Sequence, residues 1–254
     1  MSNGSTVLSA KIAMASPSLP APRQILATLS RRFPDCPSEG SVKLTKTEII
    51  FPYGGNMAVV AAMKGPILGD ELEDACAAAW WWPQATARLR RHPRHAVVTL
   101  MGEHGTMQEK HVRLTHLVAA VARRAETLGI FWENGGLVHE PATFQRQVAA
   151  LTFKKLVPNL WIDMRSDTID EGIHRFYTNG MWAFGQLEIE VERARMDREE
   201  LLDICYPTVR GILESGARIR HGARIVTAAG KKIRVTHGPS LFDPRLKVMK
   251  LDLE

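Results

Sequence analysis

An α+β fold is predicted for this chain of 254 residues by three observations. Apolar residues alternate along some stretches with the two-residue period of strands and along others with the three-to-four-residue period of helices. Pro and Gly punctuate the changes of period. The order of elements in the N-terminal half is strand, helix, two strands, helix, strand, which is the split βαβ arrangement of ferredoxin-like folds. The remainder reads as a second, mixed α/β half packed with the first and dominated by antiparallel sheet. A composition of 45% hydrophobic and 24% charged residues is that of an ordinary folded protein, with fraying expected only at Met1 to Gly4. The length suits one globular domain, 1–254, or two closely packed lobes at about 5–103 and 104–254.

The elements follow in order. Residues 6–14 are β-branched and apolar enough for a strand. Pro20 and Pro22 open a helix in which Ile25, Leu26, Leu29 and Phe33 share a face until Pro34 stops it. The runs 48–52 and 56–63, joined by Tyr53, Gly54 and Gly55, form a hairpin whose glycines supply positive φ. Helices are expected over 70–81 and from Pro83 to Leu89, then a strand over 95–101. Along 107–127 the positions Met107, His111, Leu114, Val118, Val121 and Ala125 make an apolar stripe, with Lys110, Arg113, His116, Arg123 and Arg124 largely between them. A short strand at 130–132, a turn at 134–136 and a helix over 141–151 close this part. Strands are then expected at 160–164, 172–178 and 187–191. In the last of these Leu187, Ile189 and Val191 alternate with Glu188, Glu190 and Glu192, which predicts one dry face. A helix from Asp197 to about Glu214 has acids in its first turn and Gly216 after its end. Strands at 223–227, 231–236 and 246–251 finish the chain.

Several chemistries find no foothold. Cys36, Cys76 and Cys205 are too scattered for a disulfide framework or a zinc site, and Cys205 shares a helical face with Leu201, Thr208 and Ile212, where core packing is favoured. None of the nine histidines belongs to an HExxH pair, and His92 and His95 are divided by Pro93. No GxSxG, phosphate-loop or GxGxxG motif occurs. Asp163, Asp167, Asp170 and Glu171 crowd together, but as solvated acids, with Asp163 and Arg165 placed for an ion pair. No metal and no cofactor are therefore expected. No apolar stretch reaches the roughly 18–20 residues that would span a bilayer, and no secretory leader is evident, so a cytoplasmic protein is expected.

The net charge of +6 is concentrated after Arg210, where Arg218, Arg220, Arg224, Lys231, Lys232 and Arg234 fall on a probable edge hairpin. Such charge guards an exposed edge and also suits a partner with an acidic surface. Nucleic acid is the less favoured partner, because these cations are not interleaved with Trp182 or Phe184. The run Trp80, Trp81, Trp82, Pro83 places three indoles about 100° apart on a helix. At least one must then be exposed, as an anchor for a protein partner, while the block as a whole fits a bulky plug.

Four segments carry a resemblance: Trp80 to Pro83, Gly129 to His139 (GIFWENGGLVH), His237 to Phe242 (HGPSLF), and the terminal Leu251, Asp252, Leu253. Through them the chain, from about Ala75 onwards, resembles an uncharacterised bacterial family, domain of unknown function 4261. The resemblance implies no catalytic motif. It implies an accessory or immunity-type role beside secreted toxins. The expected function is a non-enzymatic module that binds and neutralises a cognate effector, with Trp80, Trp81, Trp82, Arg218, Arg220, Arg224, His237 and Ser240 as contact residues. The rival readings are an enzyme in which His237, Ser240 and Asp163 converge, and a nucleic-acid-associated protein.

Overall fold

The apolar alternation of Thr6–Met14 forms the predicted strand, β1, which lies inside the sheet of the first of two units, Met1–Phe153 and Lys154–Glu254. The computed structural model describes residues 6–16, 18–227, 230 and 232–253. The fraying expected at Met1 to Gly4, and Lys231, lie outside the described residues.

After β1 the first unit contains α1 (Pro22–Leu29), β2 (Lys43–Leu44), β3 (Glu48–Tyr53), β4 (Asn56–Lys64), α2 (Asp70–Ala78), α3 (Ala85–Leu89) and β5 (Arg94–Gly102). Then come α4 (Met107–Ala122), β6 (Thr127–Trp132), β7 (Leu137–His139) and α5 (Pro141–Ala150). The sheet runs β2-β3-β4-β5-β1-β6-β7 with each neighbouring pair antiparallel. The α+β class and the predicted order of elements are both present, but the ferredoxin-like pairing is not. That pairing would place β1 between β4 and β5, whereas β5 here pairs along its length with both. The cause is the placement of the helices. α4 packs on β1 and β5, where Leu8, Ala10 and Ile12 are buried, while α2 and α3 cluster with Ala13, Phe131 and Val138 on the opposite face. From β4 the chain passes through α2 and α3, which pack on β7 and β6, and returns to β5, which pairs beside β4. The lobe boundary expected near Glu103 falls inside this unit, because α4 and the strands after it complete its core.

The β3–β4 hairpin turns through Gly54 (φ 58°) and Gly55 (φ 73°). A Cβ on Gly54 would also lie 2.3 Å from the Arg113 guanidinium, so glycine is required twice over. Arg113 is held by Asp35 at 2.8 Å and lies 5.3 Å from the ring centres of Phe33, Tyr53 and Phe153.

α4 starts with a capping box: Thr106 Oγ1 accepts from Glu109 N–H (3.2 Å) and Thr106 N–H donates to Glu109 Oε2 (2.7 Å). Its buried surface is wider than the predicted stripe, because α1, α5 and the sheet surround it. Lys110, His111 and His116 are buried with Leu114, Leu117 and Val118. Lys110 Nζ donates to Gly102 O (2.8 Å), and His116 shares a hydrogen bond with Leu151 O (3.3 Å). Burial lowers the pKa of both His111 and His116 to about 4, so both rings are neutral at pH 7.

The second unit contains β8 (Asp163–Asp170), β9 (Ile173–Asn179), β10 (Ile189–Arg195), α6 (Arg198–Ser215), β11 (Arg224–Val226), β12 (Lys232–Pro239) and β13 (Lys247–Asp252). The strand expected from Leu160 starts at Asp163, because Pro158–Leu160 is a 3-10 turn. The order is β11-β12-β13-β10-β9-β8, antiparallel except for the pair β10 and β13. α6 covers one face at β8 and β9, with Tyr206 against Phe176, and ends at Gly216 in the left-handed conformation. The register sets Arg165, Tyr177, Glu190, Lys250 and Thr236 in one row across the other face.

Candidate partner-binding surface

The tryptophan run lies in the turn after α2, not on a helix. The helix stops at Ala78, and Ala79 (φ −80°, ψ 69°) leaves the helical region. Trp82 is buried in a cluster with Ala13, Ala85, Leu89, Phe131 and Val138. Trp81 is half-buried, and its indole N–H donates to Val138 O (3.1 Å). Trp80 is 67% exposed and meets Trp81 edge to face at 6.0 Å. One indole is thus open to a partner, and the other two plug the first unit's own core.

Arg218, Arg220 and Arg224 are all exposed. Gly216 turns the chain out of α6, and a bend closed by Ala223 N–H to Arg220 O (3.1 Å) feeds it into β11 at the sheet edge. There Arg224 stands directly opposite Arg234 of β12, whose other cross-strand neighbour is Asp252. Like charges directly across a ladder are unfavourable. Beside this edge, α6 and residues 219–227 enclose a groove of about 410 Å³. Its apolar lining is Pro207, Ile212, Ile219, Ile225 and Val226, the last 65% exposed. Gly211 lies in the groove wall, and a Cβ added there would meet no heavy atom within 4 Å.

His237 and Ser240 have structural engagements. Ser240 is buried, and its hydroxyl donates to Glu190 Oε1 at 2.5 Å while Leu241 N–H donates to Glu190 Oε2 at 3.0 Å. Immediately before β10, Glu188 accepts from Thr178 Oγ1 (2.6 Å), Gly180 N–H (3.0 Å) and Trp182 N–H (3.1 Å). These two glutamates fix the turns at 180–185 and 239–242. The expectation of a polar outer face on β10 therefore changes: Glu190 is 2% exposed, because the turn folds over it. His237 pairs with Met249 on the opposite face from Glu190, and its backbone N–H donates to His221 Nδ1 (2.9 Å). Asp163 is paired with Arg165 at 2.5 Å. The trio His237, Ser240 and Asp163 is thus not assembled through hydrogen bonds to one another.

Sequence reasoning missed a further cluster. Phe242 packs on Tyr177 (4.6 Å) beneath the Arg175 guanidinium (5.4 Å), and Arg175 is tied to Asp167 (2.9 Å). Cys205 and Cys76 are buried, which raises their thiol pKa values to about 12 and about 11 and leaves them unreactive at neutral pH. Among the described residues no group of three His, Cys, Asp or Glu is placed to hold a metal ion, and no helix is long and apolar enough to cross a membrane.

The model of a domain of unknown function, DUF4261, matches residues 177–252. The matched stretch contains Glu188, Glu190, α6, the arginine edge and the Ser240 turn. Trp80 to Pro83 and Gly129 to His139, which also carried the sequence resemblance, lie outside it. Neither a curated protein nor a solved structure matches the chain.

Proposed function

We propose that this protein is a non-enzymatic binding module and that the second unit grips a protein partner by an acidic, partly apolar segment. The apolar part of that segment fills the groove between α6 and residues 219–227, and its carboxylates meet Arg218, Arg220, Arg224 and Arg234. The observation that carries this reading is the pairing of exposed Arg224 and Arg234 across the ladder beside an open apolar groove. An anionic partner relieves that repulsion and accelerates encounter. The finer reading is a cytoplasmic immunity protein that covers a secreted effector, and its support is the sequence resemblance.

Gly211 offers a test that separates binding from folding. Gly211→Leu places a side chain in the groove while removing a glycine from a helix interior, a change worth about 0.5–1 kcal/mol in favour of the fold. Parallel affinity capture from the native host uses three baits: wild type, Gly211→Leu, and the triple variant Arg218→Glu, Arg220→Glu, Arg224→Glu. The expected result is one stoichiometric protein held by wild type and lost by both variants. Equal recovery on all three, or recovery only of nucleic acid that high salt removes, overturns the reading.

A further inference from the structure

The first unit carries a second groove of opposite charge. It holds about 650 Å³ between α2, the loop that precedes it, and α3. Ile67, Leu72, Cys76 and Leu89 form a buried apolar floor, and Asp70, Glu73 and Asp74 on the α2 side outnumber Arg90 at the end of α3. At the lip, Leu68 is 84% exposed beside buried Ile67.

The wall of this groove is tethered. His92 Nε2 accepts from Ile67 N–H (2.6 Å), which leaves Nδ1 as the donor to Leu89 O (2.6 Å). His95 Nδ1 is bonded to Gly65 O (3.1 Å) at the other end of the same loop. The groove is thus formed before any ligand arrives, which lowers the ordering cost of binding.

A plainer account covers part of this. Asp70, Glu71 and Glu73 occupy the first turn of α2, where acids favour the helix dipole. The dipole does not account for Asp74 on the groove side or for an almost fully exposed leucine at its lip. Among the described residues none of Asp70, Glu73 or Asp74 has an ion-pair partner.

We infer that this groove docks a segment of a protein partner in which leucine-like side chains alternate with Lys or Arg in helical spacing. The apolar side chains enter over Leu68 onto Ile67, Leu72 and Leu89, and the cations meet Asp70, Glu73 and Asp74. This is the helix-in-groove mode of recognition. The inference is independent of the second-unit reading, since the two surfaces take segments of opposite charge.

The test uses the full chain and a fluorescein-labelled amphipathic peptide of Leu and Lys, with two comparison peptides: Glu in place of Lys, and the same residues scrambled to lose the apolar face. Fluorescence anisotropy is read for wild type, Leu68→Asp, Ala77→Phe and Glu73→Lys. Ala77 is exposed on the groove wall, so phenylalanine there blocks the groove without entering the core. Saturable binding of the Leu/Lys peptide alone is expected, weakened at least tenfold by each variant, with hydrogen-exchange protection over 66–92. Absence of saturable binding overturns the inference. So does binding that the three variants leave unchanged, or equal binding of the Glu peptide. Concentration-dependent self-association lost in both Glu73→Lys and Arg224→Glu would make the occupant a second copy and would likewise overturn the proposal as stated.

Discussion

The tryptophan run of the first unit and the arginine edge of the second have the same standing in the sequence, as candidate contact residues, but folding treats them differently. Two of the three indoles are absorbed, Trp82 into an apolar cluster and Trp81 onto Val138 O. The three arginines all remain at the surface. The difference follows from transfer energetics: apolar area gains from leaving water, whereas an unpaired guanidinium in the interior is prohibitively unfavourable. An aromatic run is therefore a weak indicator of a binding surface, and a run of arginines a safer one.

This contrast can be broken by mutation. Trp82→Ala is expected to destabilise the first unit by about 3–5 kcal/mol through the cavity it leaves, whereas Trp80→Ala should change stability by less than about 0.5 kcal/mol. Urea unfolding measures both, and similar costs would remove the distinction between plug and anchor.

Acid sharpens the comparison next. His111 and His116 in α4 are neutral in the folded chain, with pKa values of about 4 against an ordinary 6.5. The unfolded chain takes up their protons first, so their contribution is fully present above pH 6.5 and is lost as pH falls towards 4. The loss is on the order of 3 kcal/mol per histidine across that window. Hydrogen exchange should show α4 loosening between pH 6.5 and 4.5, and His116→Gln should flatten that dependence. An unaltered profile in the variant would contradict the assignment.

A smaller effect is expected at Glu190. Glu190→Gln replaces the charged acceptor of Ser240 and Leu241 and should cost about 1.5–3 kcal/mol, with increased exchange at the amides of 240–242. Smallest of all, Arg224→Gln should leave stability unchanged or raise it by up to about 1 kcal/mol by relieving the repulsion with Arg234. Marked destabilisation by Arg224→Gln would show that the edge is internally paired and not poised for a partner.

Local structure was largely legible in the sequence. Gly54 and Gly55 marked the hairpin, Gly216 marked the end of α6, and the period of residues 6–14 marked β1. The pairing order was not, because the side of the sheet on which α2 packs depends on Phe131 and Val138, more than fifty residues further along the chain. The same distance hid the role of Glu190. A glutamate in an alternating strand reads as solvated, and only the return of the chain at Ser240 shows that it accepts hydrogen bonds from Ser240 Oγ and Leu241 N–H. Likewise Lys110 and His116 read as an outer helical face because the helices that cover them are distant in sequence. Of the candidate contact residues, Arg224 falls on the exposed edge hairpin, whereas Arg218 and Arg220 lie exposed in the segment that leads into it, while Ser240 and Trp82 were drawn inward by partners that no local pattern reveals.

The most direct measurement of the central claim is the association rate of the captured partner with wild type and with the triple variant Arg218→Glu, Arg220→Glu, Arg224→Glu, across a range of ionic strength. The account predicts a wild-type rate that falls steeply as salt rises, and a variant rate at least about tenfold lower at low salt. Equal rates with the same salt dependence would contradict it and would remove the arginine edge from the binding surface.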